Sequence, residues 1–535
     1  MATVERNPVE RRMAILHRLW LEQSGRDARI FLWEVEDDAK SLIQAFTALQ
    51  QQETEYDLPD LFITFRAPFD TLFGYSRALR HELLENYQHS KEALAEQQLA
   101  TDWRYPPLAE CDSVDGFMAA LSSFAHYYQA QFRYLVVALS PDAVSLHSSW
   151  QQWIDLALQS SWPANLRFML LHSHSNPCWR PLEKARPHDI QKLIPDLQQH
   201  TLITEVASQS TEDNETFLYR RYMTDSMVLL QRGTPQQVTE RAQRALELAQ
   251  QKGWPEQQVV MHSIIAGAWL KGQDIPRAVQ SYRLAAERAV QIEQPAIKHQ
   301  LITQSLFGEA GAWFTARRYE QAAEVYARAA AEAQRVPHPL YVIEGYRMAG
   351  FCYQRKGHTT LATKFYTEAI RAATQLPLAE RKFSTLGITL HALLTMQDKA
   401  RAEALEKKAQ AYCNQLTDIQ RKAEKEALAL GKYPAPEKTA RLQQRMEQAM
   451  EQAFLHCCEQ RESLIRQASI PFQRIIFAGR ELLAPNWSGI PDIAHPLDKE
   501  PAEWDAPLSF MTPEPKSTEQ LLQTEMPASE LKEVL

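Results

Sequence analysis

The stretch Trp269-LKGQDIPR-Ala278-VQS-Tyr282-RL-Ala285 decides the fold, because its spacing of large and small residues comes back twice. It returns as Trp313, Ala322, Tyr326 and Ala329, and again as Tyr353, Ala362, Tyr366 and Ala369. A weaker copy precedes (Leu229, Val238, Ala242, Ala245) and another follows (Leu393, Ala402, Glu406, Ala409), at intervals of 40, 44, 40 and 40 residues. Gly233, Gly272-Gln273-Asp274 and Lys356-Gly357 supply a turn inside three of the units, and Pro255, Pro295, Pro337 and Pro377 fall between units. In each copy the second aromatic and second alanine, four and seven residues after the first alanine, share one face of a helix. Small residues let two helices approach closely while the aromatics supply buried area. One such hairpin cannot bury its apolar face alone, so neighbours must stack.

With these residues, and with Ala266, Ala310 and Gly350 three positions before each first aromatic, the region resembles the tetratricopeptide repeat family. The resemblance covers residues 255–376, with weaker flanks to 215 and 412. It departs in length, since the family's unit is nearer 34 residues. Longer helices are therefore expected. The resemblance implies a concave face built from first helices, on which a peptide or helix of a partner protein lies. Carried onto this chain, that face includes Arg220, Met223, Lys271, Gln304, Phe307, Phe314, Glu344, Arg347, Phe351 and Arg355. A mixed apolar groove with scattered cations suits an amphipathic helix or an acidic-hydrophobic segment.

Residues 1–208 read differently. Short apolar runs at Ile30–Val35, Leu61–Phe65, Tyr134–Leu139, Leu166–Leu171 and Thr201–Val206 alternate with helical patterns, which predicts an α/β domain with a parallel sheet. The first strand runs into Glu34-VEDDA-Lys40-Ser41, a shadow of a phosphate-binding loop with both glycines replaced and three acids in the turn. Carboxylates repel phosphate, so Lys40 and Ser41 stand as a weak nucleotide candidate, and a regulatory ATPase-like switch is an alternative reading. In domain order alone, the domain is similar to the nucleotidase module of signal-transducing P-loop ATPases. His172-SHSNP-Cys178 offers three zinc-type donors and no evident fourth, and with Ser140–Asp142 it marks where an unfamiliar α/β active site could lie. No G-x-S-x-G or H-E-x-x-H motif is present, and neither a catalytic residue, a metal nor a cofactor is expected.

After the repeats, 416–483 reads as long helices capping the solenoid, and 484–535 as a disordered, proline-rich acidic tail. From Pro491 onward ten acids face three lysines, a net of −7, so the other 490 residues carry −1 of the total −8. Such a body lacks the clustered cations that nucleic-acid binding requires. The tail's Trp504, Leu508 and Phe510 could occupy the groove of the same molecule. Met1–Arg12 has no apolar run, no stretch reaches a membrane span, and six cysteines show no framework spacing. A cytoplasmic, non-enzymatic adaptor or chaperone that holds a partner or cargo protein is therefore the expectation, with its oligomeric state open.

Overall fold

The computed structural model describes residues 7–50, 58–173, 178–197, 214–336, 338–489, 511 and 517–522. The chain divides into two compact units. The first contains residues up to 202 together with Tyr412–Phe454; the second contains Ile203–Ala411, Leu455–Ile493 and the described end of the tail.

In the first unit, strands β1 (Ile30–Val35), β2 (Leu61–Phe65), β3 (Leu135–Leu139), β4 (Leu166–Ser173) and β5 (Ile190–Leu193) form one parallel sheet in the order β2-β3-β4-β1-β5. Both faces are covered, as a parallel sheet requires. The alternation of a strand sorts its side chains: Phe31 and Trp33 of β1 join Leu16, Trp20 and Phe46 in one core. Ile30 and Leu32 of the same strand join Tyr75, Phe117 and Trp153 in the other. The helices supplying these layers are α1 (Pro8–Gln23), α2 (Lys40–Leu49), α3 (Leu72–Glu96), α4 (Val114–Tyr127) and α5 (His147–Gln159); the short α6 (Arg180–Ala185) precedes β5. The strand expected at Thr201–Val206 lies outside the described residues. The fifth strand is Ile190–Leu193, whose IQKL sequence carries little apolar signal.

The second unit is a stack of helical hairpins. Helix α7 (Asn214–Arg232) pairs with α8 (Pro235–Gln251), α9 (Pro255–Lys271) with α10 (Ile275–Ala289), α11 (Pro295–Thr315) with α12 (Tyr319–Ala333), and α13 (Pro339–Arg355) with α14 (Thr359–Ala373). Helices α10, α12 and α14 are each 15 residues long, and α9 and α13 each 17, whereas α11 has 21. The single 44-residue interval is thus one extra turn of α11. Equivalence extends to the turns. The carbonyls of Trp269, Trp313 and Tyr353 accept from the N–H groups of Asp274, Arg318 and His358 at 2.9, 2.9 and 3.0 Å. Each loop passes through one left-handed residue, Gln273, Arg317 or Gly357, with φ of 61°, 59° and 80°. These are Schellman-type caps, built on glycine in one case only.

The short α15 (Leu378–Phe383) and then α16 (Leu386–Gln397) follow, and α16 packs on α14 and on α19 (Ile470–Leu482). Between them run two long helices, α17 (Lys399–Ala429) and α18 (Pro436–Arg466). The region 416–483, read from sequence as one cap, is not one. Its Tyr412–Phe454 part belongs with the α/β domain, where Ala423, Leu442 and Met446 pack on Phe73. There Glu424 accepts from Ser149 at 2.7 Å, and Thr439 and Arg77 both donate to Asp112. Only the part from Leu455 joins the repeats, through Ile465, Phe472, Ile475 and Ile476. Among the described residues, no helix is long and apolar enough to cross a membrane.

One of the buried titratable side chains in the stack is a histidine. His262 of α9 is buried with no hydrogen-bond partner for Nε2, and burial, with the Arg288 charge, pulls its pKa down to about 4. The unfolded chain takes up that proton near pH 6.5 and the folded chain does not. Stability from this residue is therefore intact above pH 6.5 and is lost as pH falls toward about 4, by roughly 3 kcal/mol in all. Unfolding of the full chain across that range should show the loss, and His262→Leu should flatten it. A profile unchanged by the substitution would assign the acid sensitivity to other groups.

Candidate functional site

Three regions held candidate residues. At the strand-to-helix junction, β1 ends at Val35, Asp37–Ala39 make one 3-10 turn, and Lys40 opens α2. The junction lies at the carboxyl end of the sheet beside the boundary of β1 and β4, where strand order reverses and α/β domains place ligands. Its side chains are occupied with one another. Lys40 Nζ pairs with Asp37 at 2.6 Å, and Ser173 at the end of β4 donates to the same carboxylate at 2.5 Å. Ser41 lies within 3.5 Å of the Asp38 carbonyl, and Lys192 pairs with Glu34 and Glu183 at 3.0 and 2.8 Å. Lys40, the lysine a phosphate would need, is paired with the Asp37 carboxylate.

The second region is the end of β4. His172 is buried, its Nδ1 has no partner among the described residues, and burial lowers its pKa. Cys178 is half-buried, with its carbonyl accepting from Gln151, and burial raises its thiol pKa. His174 lies outside the described residues. Among the described residues no group of three metal-type donors comes together. Asp142 is exposed, and its N–H donates to the Arg66 carbonyl at 3.1 Å.

The third region is the row of first helices. Phe307 and Phe314 on α11 and Phe351 on α13 belong to an aromatic tract made of two ring clusters, each bridging α11 and α13. Phe314 lies 6.1 Å from Phe351 between ring centroids, and Phe307 meets Tyr326 and Tyr341 at 5.7 Å each. All three phenylalanines are half-buried, so each keeps a face open. Arg355 places its guanidinium over Phe351 at 5.3 Å and is exposed, as are Gln304 and Arg220. Met223 packs into the neighbouring apolar cluster with Tyr219 and Met261. On the same row of helices Met227 and Val260 remain 48% and 37% exposed, large for apolar side chains that could have been buried.

Two of the expected groove cations are already engaged. Lys271 Nζ donates to the carbonyls of Leu230 and Gln231 at 2.8 and 2.5 Å, satisfying the end of α7. Arg347 forms a two-pronged pair with Glu344 at 2.7 and 2.6 Å and is 15% exposed, so it braces α13. Tyr341 completes the tract and was not among the expected residues. It stands two residues after Pro339, and an aromatic at a helix start carries no periodic signal of its own. Of the proposed tail occupant, Trp504, Leu508 and Phe510 lie outside the described residues. The described helix α20 (Ser517–Leu522) packs on α19, with Thr518 donating to Glu481.

Comparison with protein-family models finds none that matches the chain, and comparison with curated proteins finds no significant match.

Proposed function

We propose that this chain is a non-enzymatic adaptor or chaperone whose repeat groove, tetratricopeptide-like in spacing, holds a helical or extended segment of a partner or cargo protein. The observation that supports this reading is the half-buried tract of Phe307, Phe314, Phe351 and Tyr341 along successive first helices. Aromatic anchors in a stacked-helix surface are where a partner's apolar face gains most. Arg355 beside the tract favours a segment that carries a carboxylate next to its apolar residues. The junction at Lys40 gives the nucleotide-switch alternative no comparable support, because Asp37 occupies the lysine.

The test compares what the full chain and two variants, Phe351→Ala and Arg355→Glu, retain in affinity purification with mass spectrometry. A proteins set that falls at least tenfold with Phe351→Ala is expected, since a hot-spot aromatic contributes about 2 kcal/mol. Arg355→Glu should weaken the same set and do so less at high salt. If all three proteins retain the same set equally, the groove is not the binding surface.

A further inference from the structure

The free edge of the sheet has a different chemistry from the groove. Strand β2 lies at one edge of the sheet, and among the described residues only its inner side is paired. Leu61 N–H donates to the Tyr134 carbonyl at 2.9 Å, and the Phe65 carbonyl accepts from Ser140 at 3.0 Å. By the two-residue alternation, Leu61, Ile63 and Phe65 face β3, whereas the N–H and C=O groups of Phe62 and Thr64 point outward. These four groups have no partner among the described residues. The next outward donor, Arg66 N–H, is covered by the Glu82 carboxylate of α3 at 3.0 Å, which shows how this chain closes an edge where it does so.

The open part of the edge lies in a cleft of about 910 Å³. Leu61–Thr64 contribute to its lining together with Ile43 and Thr47 of α2 and with Tyr87, Ser90 and Leu94 of α3. Helices on both sides make this a slot for one strand and not a flat edge for a second sheet. Asp60, the only acid among the described lining residues, is consumed by Trp20 Nε1 at 2.8 Å and by a two-pronged contact from Arg133. Arg66 also borders the cleft and is exposed, with no carboxylate on its guanidinium among the described residues.

We propose that β2 is a strand-addition site, which takes an extended segment of a partner protein. Unpaired backbone groups spaced two residues apart are matched only by another backbone. Apolar side chains on both walls ask for apolar residues at alternate positions on each face of the incoming strand. Arg66 asks for a carboxylate at the end that lies beside it. Five residues of β2 span about 17 Å, so the recognised segment is about five residues long. This site is separate from the repeat groove and does not depend on it.

The experiment selects peptides from a random heptapeptide library displayed on phage, on the immobilised full chain and on its Thr64→Pro variant in parallel. Thr64 N–H makes no bond inside the sheet, and proline is tolerated on edge strands, so the variant should keep its thermal midpoint within a few degrees. The expected result is enrichment of peptides alternating β-branched or aromatic residues with an acid at one end. Their affinity should drop at least tenfold with Thr64→Pro, and hydrogen exchange at Phe62 and Thr64 should slow on binding. Phe351→Ala should leave that binding unchanged, which separates this site from the groove. Should Thr64→Pro not fold, Arg66→Glu should reject the acidic peptides and accept the same peptides with lysine in place of the acid. Three results would overturn the proposal: no enrichment beyond that on Thr64→Pro, binding indifferent to both variants, or a fall in native mass with Thr64→Pro that marks the edge as a contact between two copies.

Discussion

Tyr366→Ala should cost the repeat unit about 3–5 kcal/mol, the range for removing a fully buried aromatic. Tyr366 has no exposed surface, and its ring occupies the space that a Cβ on Gly350 would need, 2.7 Å away. Its hydroxyl donates to Gln354 at 2.7 Å, so the alanine variant leaves a cavity and also strands an amide oxygen. Movement of α13 to close that cavity is opposed by its packing on α12, where a Cβ on Gly345 would stand 2.8 Å from Ala330. The thermal midpoint of the second unit should fall by on the order of 10 °C. The same substitution at equivalent positions gives an internal scale. Tyr326 is 6% exposed and Tyr282 is half-buried, so the losses should rank Tyr366, then Tyr326, then Tyr282. Chemical denaturation of the full chain with a probe in the repeats measures this; equal losses at all three would mean that burial is not what distinguishes the copies.

The second large effect belongs to the α/β domain. Asp60 is fully buried and accepts four hydrogen bonds: Trp20 Nε1 at 2.8 Å, Arg133 Nε and Nη2 at 2.9 and 2.8 Å, and Tyr134 N–H at 3.2 Å. It ties α1, the start of β2 and the start of β3 together through one carboxylate. Asp60→Ala removes every acceptor and leaves the Trp20 indole N–H without one, at a cost of about 3 kcal/mol. That is the lower end for a broken ion pair, because Arg133 retains 35% exposure and a bond to Ser24. Asp60→Asn should lose less, since an amide oxygen still serves two of the donors. Adding Arg133→Met to Asp60→Ala should recover part of the loss, as expected when the penalty is an uncompensated charge. A double variant no better than Asp60→Ala alone would place the cost in the indole and backbone donors instead.

How much of this was legible in the residues differs by region, for physical reasons. The hairpins were, because buried small-large pairs recur at fixed offsets and a stack admits little else. The turn geometry was not. Glycine or an adjacent residue can take the left-handed position, and here it falls on Gln273 and Arg317, one of them directly after Gly272. Four strands showed as apolar runs, since both faces of a parallel sheet are buried, but their order depends on long-range pairing. The division of 416–483 was hidden for the same reason: Glu424 meets Ser149 across 275 residues of sequence. Two of the cations read as groove residues, Lys271 and Arg347, are engaged within the chain. The Glu344–Arg347 spacing of three is a visible ion-pair signal on a helix, whereas the bond from Lys271 to the end of α7 needs the neighbouring unit in place.

The equivalence of the three Schellman-capped turns bears on how the second unit comes apart. A linear array of like hairpins has no central core whose loss destroys the rest, so each hairpin's persistence is set by its own stability and by the two faces it shares with neighbours. The hairpin of α7 and α8 has a neighbour on one side only within the repeats, and fraying should begin there and advance toward α13 and α14. Heat or denaturant would then erode the array in steps, and amide protection would fall off along it as a gradient rather than vanish everywhere at once.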